Sequence, residues 1–173
     1  TTQLLSGLAE AHAAGIVHRD IKPSNVLLAT LKDGSRLLKL VDFGIAKLME
    51  GTRASGATRI GQIIGTPGYM APEQFLGLPT SRATDLYAVG IVLFELITGR
   101  RPFVARDELE MAQLTMLTSP PKIGAFIDAS VPVALDQLVL ELLAKNAADR
   151  PASAAATRDR LLGLLAEPLR PTG

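Results

Sequence analysis

Apolar and polar residues follow each other along this chain in two rhythms, and the changes between them divide it. Leu4, Leu5 and Leu8, followed by Ala11 or His12, recur at helical spacing. That spacing predicts an amphipathic helix over about residues 1–14, ended by Gly15. Two short apolar runs come next, Val26–Leu31 and Leu37–Val41, separated by Lys32-Asp33-Gly34-Ser35. Asp-Gly between apolar runs predicts a β-hairpin. From about Asp42 to Pro72 the chain turns to Gly, Thr, Ser and Arg with little periodicity. This reads as a long loop, and long loops in compact domains are usually functional. Residues 83–97 are apolar on every face except at Asp85 and Glu95, the pattern of a buried central helix. Further helices are predicted near 107–117, 133–145 and 154–165, the second marked by Leu135, Leu138, Val139 and Leu142. Pro168 and Pro171 open a tail, residues 167–173, predicted to be disordered. The expected class is α+β, mainly α: a helical bundle over residues 1–166 with a small β-hairpin near its start.

Composition narrows the partners. The 173 residues suffice for one domain with a sizeable core. Eighteen Lys and Arg against 17 Asp and Glu leave a net charge of +1, too small a field to gather nucleic acid or an anionic membrane. Cysteine is absent, which excludes disulfides and thiolate metal sites and fits the cytoplasm. The longest apolar stretch, Leu86 to Phe94, stops at Glu95, well short of the ~20 residues that cross a bilayer. Any membrane anchor of the parent protein would therefore lie outside this chain. Hydrophobic residues make up 47% and the mean hydropathy is +0.26, high for a domain without a span. The surplus predicts an apolar surface covered by something beyond the chain. The first residue is Thr1, inside a helical pattern, so the chain reads as a piece of a longer protein.

Three constellations carry chemistry. In His18-Arg19-Asp20-Ile21-Lys22-Pro23-Ser24-Asn25, a carboxylate, a cation and an amide fall within six residues. Phosphoryl transfer needs those three types: a carboxylate to receive the proton of the attacking hydroxyl, a cation for the phosphate, and a metal ligand. In Asp42-Phe43-Gly44, a carboxylate that suits Mg²⁺ leaves the second strand beside a glycine that can pivot. In Gly65-Thr66-Pro67-Gly68-Tyr69-Met70-Ala71-Pro72-Glu73, glycine and proline punctuate a rigid turn that closes the long loop. Taken singly, each also reads as an ordinary surface loop or strand exit.

Together, and in this order, they resemble the protein kinase signature set of catalytic loop, Asp-Phe-Gly and Ala-Pro-Glu. Asp85 to Gly90 resembles the start of the kinase central helix, Thr98 to Phe103 its exit, and Asp149-Arg150-Pro151 the late arginine motif. The resemblance covers about residues 1–165 and is nearest in wording to bacterial kinases of the eukaryotic-like serine/threonine type. It implies the C-terminal lobe of a kinase domain. Nothing here resembles the glycine-rich loop or the Val-Ala-x-Lys strand of the N-terminal lobe, which would precede Thr1.

The resemblance implies transfer of the γ-phosphate of ATP to Ser or Thr of protein substrates. Asp20 would be the catalytic base, Lys22 would steady the γ-phosphate, and Asn25 and Asp42 would hold Mg²⁺. Leu27 would lie under the adenine. Lys22 and Thr66 favour serine and threonine over tyrosine, because Thr66 stands where such kinases place a threonine against the base and the lysine. Ser24 replaces a glutamate that reads substrate arginine in many of them; Glu95 could still contribute to that reading, although a structural role in the central helix is favoured. Arg19 would pair with a phosphate on the activation loop, with Thr58 the leading candidate and Thr52 and Ser55 behind it. Glu73 and Arg150 would form a buried ion pair. Asp85 would accept backbone hydrogen bonds near His18 and Arg19, and His18 and Phe43 would pack into the column joining the lobes. His12 reads as a surface or core helix residue and nothing more. A fragment without its N-terminal lobe would be nearly inactive. A pseudokinase or docking module is weaker because the chemical groups are all present, and a small-molecule phosphotransferase is weaker because Gly65–Glu73 suits an extended peptide.

Overall fold

The computed structural model describes residues 1–42, 66–127 and 131–166. Helix α1 spans Thr2–Ala13 and buries Leu4, Leu5 and Leu8, the stripe that its spacing predicts. It ends in a Schellman turn: Gly15 adopts φ +75°, its N–H bonds the His12 carbonyl, and the Ile16 N–H bonds the Ala11 carbonyl at 2.9 Å. A left-handed residue there favours glycine, so Gly15 sets where the chain leaves the helix.

Strands β1 (Val26–Thr30) and β2 (Arg36–Leu40) pair antiparallel, with Val26 opposite Leu40 and Thr30 opposite Arg36. Gly34 takes φ +81° in the turn, and the Asp33 carboxylate accepts bonds from the Ser35 N–H and hydroxyl. A lone two-stranded hairpin is marginal in water. Here Gln3 of α1 staples it, donating to the Arg36 carbonyl at 3.1 Å and accepting from the Leu38 N–H at 2.9 Å.

Helix α2 (Pro72–Phe75) is one short turn, and α3 (Arg82–Thr98) is the centre of the molecule. Ser81 caps α3 by accepting from the Ala83 N–H, and Gly99 at φ +73° closes it. Every residue from Thr84 to Phe94 is buried, because α1 and the later helices surround this stretch. Helices α4 (Glu108–Leu117), α5 (Val133–Leu142) and α6 (Ala154–Ala166) complete the bundle. Helix α5 stops three residues before its predicted end. The Arg150 guanidinium takes the carbonyls of Ala144 and Lys145, which a longer helix would have turned along its own axis. The tail at 167–173 lies outside the described residues.

At Gly90 the central helix meets α5 closely: an added Cβ would lie 2.8 Å from Leu142 Cβ and 3.0 Å from a Leu143 methyl. Gly90→Ala would gain about 1 kcal/mol of helix propensity and lose about 1–3 kcal/mol to overpacking. We expect a lower melting temperature for this variant. A rise on thermal denaturation would show that α5 shifts without cost.

The expected apolar surface is present on the hairpin. Leu27 and Leu28 are 53% and 59% exposed, and Leu31 and Leu37 lie exposed beside them.

Candidate active site

The loop between α1 and β1 is held from the central helix. Asp85, itself buried, accepts from the His18 N–H at 2.9 Å through Oδ2 and from the Arg19 N–H at 2.8 Å through Oδ1. Arg19 has φ +68°, uncommon for a residue with a side chain. It stays there because both its polar backbone groups are taken: Asp85 holds its N–H, and Gln74 Nε2 donates to its carbonyl at 3.0 Å. The buried His18 ring accepts from the Asp20 N–H at 3.2 Å through Nδ1 and bonds the Val41 carbonyl at 3.0 Å through Nε2. Those two bonds require the Nε2–H tautomer. His18 thus ties the loop to the end of β2.

Four side chains converge on the far side of this loop. The Asp20 carboxylate lies 3.0 Å from Lys22 Nζ and 3.2 Å from Asn25 Nδ2. Asn25 Nδ2 also donates to the Asp20 carbonyl at 2.8 Å, and Lys22 Nζ donates to Thr66 Oγ1 at 3.0 Å. Asp20 and Lys22 keep about a fifth of their side-chain surface open, so the carboxylate is oriented without being sealed. Asn25 is buried, and its amide nitrogen is spent on Asp20, which leaves its oxygen for another partner.

Asp42 follows β2 closely. The N–H of Val41 bonds the Asn25 carbonyl at 3.0 Å, so the strand end and the loop are in register. Asp42 adopts φ +55° and is exposed. One amide oxygen and one carboxylate are hard donors suited to Mg²⁺, which takes its remaining ligands from water and phosphate. Among the described residues no three His, Cys, Asp or Glu cluster as a self-sufficient metal site. An ion shared with a phosphate ligand is the arrangement these two donors fit.

Glu73 and Arg150 meet as a bidentate pair, at 2.7 and 2.8 Å, which anchors α2 beneath the site. Leu27 is exposed on β1. Phe43, Gly44, Thr52, Ser55, Thr58 and Gly65 lie outside the described residues. His12 does more than its sequence reading allows: its Nε2 lies 2.8 Å from Asp85 Oδ2, a third bond to the residue that holds the loop. Gln74, which bonds the Ala71 N–H as well as Arg19, carries no sequence signal for that role. The His12–Asp85 and Gln74–Arg19 partnerships join residues 73 and 55 positions apart, beyond any local pattern.

The protein kinase domain family matches residues 1–162. The chain is 41% identical over 162 residues to the serine/threonine-protein kinase pkn3 of Myxococcus xanthus, covering 92% of this chain and 30% of that protein. It is 44% identical over 170 residues to Pkn1 of the same organism, covering 98% and 24%. PknL of Mycobacterium tuberculosis is 41% identical over 153 residues, covering 88% and 36%. The crystal structure of a cysteine-to-alanine mutant of the Mycobacterium tuberculosis PknI kinase domain superposes with a TM-score of 0.65 at 28% identity. That match covers 95% of this chain and 52% of the other. The chain spans about a quarter to a third of these curated relatives and about half of the PknI kinase domain. It belongs to the protein kinase domain family.

Proposed function

We propose that the protein carrying this chain transfers the γ-phosphate of ATP to serine and threonine hydroxyls of protein substrates. The reading rests on one observation: the Asp20 carboxylate is held between Lys22 and Asn25, while Lys22 is itself fixed by Thr66. Such a carboxylate is placed to orient a hydroxyl and accept its proton. Lys22 offers its positive charge to the transferring group, and Asn25 Oδ1 with the Asp42 carboxylate would hold the metal. When bound, ATP would supply the phosphoryl group and Mg²⁺ would neutralise its charge.

The remaining half of the site belongs to an N-terminal lobe. The exposed leucines of the hairpin support this, since an apolar patch of that kind is normally covered, and Leu27 is the one assigned to the adenine. Positioning both reactants is worth many orders of magnitude in rate, so this chain by itself should transfer phosphate only at background. Arg19 is assigned to a phosphorylated activation segment. Its Nε is buried with no hydrogen-bond partner among the described residues, and a phosphate would satisfy it. No described helix is long and apolar enough to cross a membrane, and we place this domain in the cytoplasm, where ATP is supplied.

The test is transfer from labelled ATP by the intact protein. Phosphoserine and phosphothreonine should appear on protein, chelation of divalent metal should reduce transfer to background, and added Mg²⁺ should restore it. Mapping of the same sample should find phosphate on Thr58, or on Thr52 or Ser55. Transfer to a small aminoglycoside and to no protein would replace this reading with a small-molecule phosphotransferase. Failure of Mg-ATP to raise the melting temperature would replace it with a pseudokinase.

A further inference from the structure

We propose that Arg101 recognises an acidic residue flanking the phosphoacceptor, so that the preferred substrates are serines and threonines beside carboxylates. The inference rests on the kinase reading above and names the substrate class of that site.

The segment that leaves the catalytic cluster is Thr66, fixed by Lys22, followed by a 3₁₀ turn at Pro67–Tyr69. The Arg101 guanidinium lies directly on this turn. A Cβ built at Gly68 would fall 1.6 Å from Arg101 Nη1 and 2.8 Å from its Cζ. The guanidinium therefore fills the space that any side chain at 68 would take. Its Cζ also stands 5.7 Å from the centroid of the Tyr69 ring. Arg101 is half-buried and makes no ion pair or hydrogen bond among the described residues.

Glu95, the carboxylate of this wall, is already engaged. The Tyr69 hydroxyl donates to Glu95 Oε2 at 2.6 Å. Burial, helped by that bond and the adjacent charge, pushes the hydroxyl up to about 12, so it remains a donor at any physiological pH. The position two residues before Asn25 offers no carboxylate either, being Pro23, and Ser24 between them is uncharged. Arg100, next to Arg101, is exposed with its Cζ 5.2 Å from the Phe126 ring centroid, so it adds a second cation to the same loop. Among the described residues, the wall beside the phosphoacceptor thus presents a guanidinium with no ion pair and an occupied carboxylate. A guanidinium fork fits a carboxylate or a phosphate through two parallel bonds. A substrate lysine or arginine would meet a like charge.

The experiment measures kcat/KM of the intact protein with Mg-ATP on peptides that share one threonine. Their flanking positions carry Asp, Ala, Lys or phosphoserine. Wild type should rank Asp above Ala above Lys. Arg101→Gln should reduce the Asp-to-Ala ratio by about fivefold, mainly through KM. Arg101→Glu should turn the preference towards Lys. Gly68→Ala, which keeps the charge but takes its seat, should also reduce the ratio. A ratio unchanged in Arg101→Gln, or a wild-type preference for Lys, overturns the proposal. So does recognition of phosphoserine with Asp no better than Ala, which would assign the cation to a previously phosphorylated substrate. Fluorescence anisotropy of the labelled Asp and Ala peptides on the same proteins reads the ratio without phosphoryl transfer. A failure of the kinase reading would therefore leave this test intact.

Discussion

Asp20→Asn in the intact protein is expected to lower kcat for phosphoryl transfer by ~10²–10⁴, the usual worth of a positioned general base. Its melting temperature should stay within about 2 °C of wild type. The two halves of this expectation come from different features of the same side chain. Asparagine keeps the size of aspartate, and its oxygen can still accept from Lys22 and Asn25, which lie 3.0 and 3.2 Å away. The pair with Lys22 is a fifth exposed, so the lost charge costs little stability. What asparagine cannot do is take up the hydroxyl proton. Lys22 should remain on Thr66, so ATP affinity should change less than kcat. Full turnover by this variant, measured at saturating ATP and substrate, would remove Asp20 from the role assigned to it.

That role depends on the residues behind the loop. A carboxylate is useful as a base only if its backbone is held still. Here the backbone before Asp20 runs through the left-handed Arg19, a conformation that persists only under constraint. Asp85 supplies most of that constraint from the interior of the central helix, with two backbone N–H groups and His12 as its partners. Gln74 grips Arg19 from the short helix that Glu73 and Arg150 anchor. The loop that carries Asp20 is therefore clamped between the core of the bundle and the short helix α2.

The parts of this arrangement readable from sequence are those written in local patterns. The α1 stripe, the Asp-Gly hairpin and the all-apolar central helix each follow from spacing over a few residues, and the elements form where that spacing places them. Asp85 stands out locally as a carboxylate in an otherwise apolar helix, but its bonds to the loop at His18 and Arg19 come from the resemblance to kinases. The resemblance to kinases supplies the pairing of Glu73 with Arg150, 77 positions apart. His12, Gln74 and the seat of Arg101 on Gly68 are not legible. Each depends on a contact between distant residues whose side-chain types are ordinary at their own positions. The end of α5 escapes a local reading for the same reason, since the arginine that takes the carbonyls beyond it comes from outside the helix.

Arg150→Met is expected to destabilise the fold by ~3–5 kcal/mol, and Glu73→Gln by less. The Arg150 side chain has no exposed surface and Glu73 keeps about a tenth of its own. Removing the arginine leaves a buried carboxylate unpaired and also strips donors from the carbonyls of Ala83, Ala144 and Lys145. Removing only the charge of Glu73 leaves Arg150 those three carbonyls. For a domain of this size the arginine variant should melt roughly 10 °C lower. The double variant should cost less than the sum of the two. Acid should separate the variants further. Burial alone would push the Glu73 carboxyl up, but bonds from Arg150, from its own backbone and from the Thr84 hydroxyl together hold it below the ordinary glutamate value. A carboxyl lowered by folding stabilises fully above its unfolded value, about 4.3, and loses that stabilisation as pH falls through the lower folded value. Wild type should therefore lose stability below about pH 5 more steeply than Glu73→Gln, whose amide does not titrate. Parallel curves for the two proteins in acid, or a glutamine variant less stable than the methionine one at neutral pH, would mean that the pair does not anchor the segment as its geometry indicates.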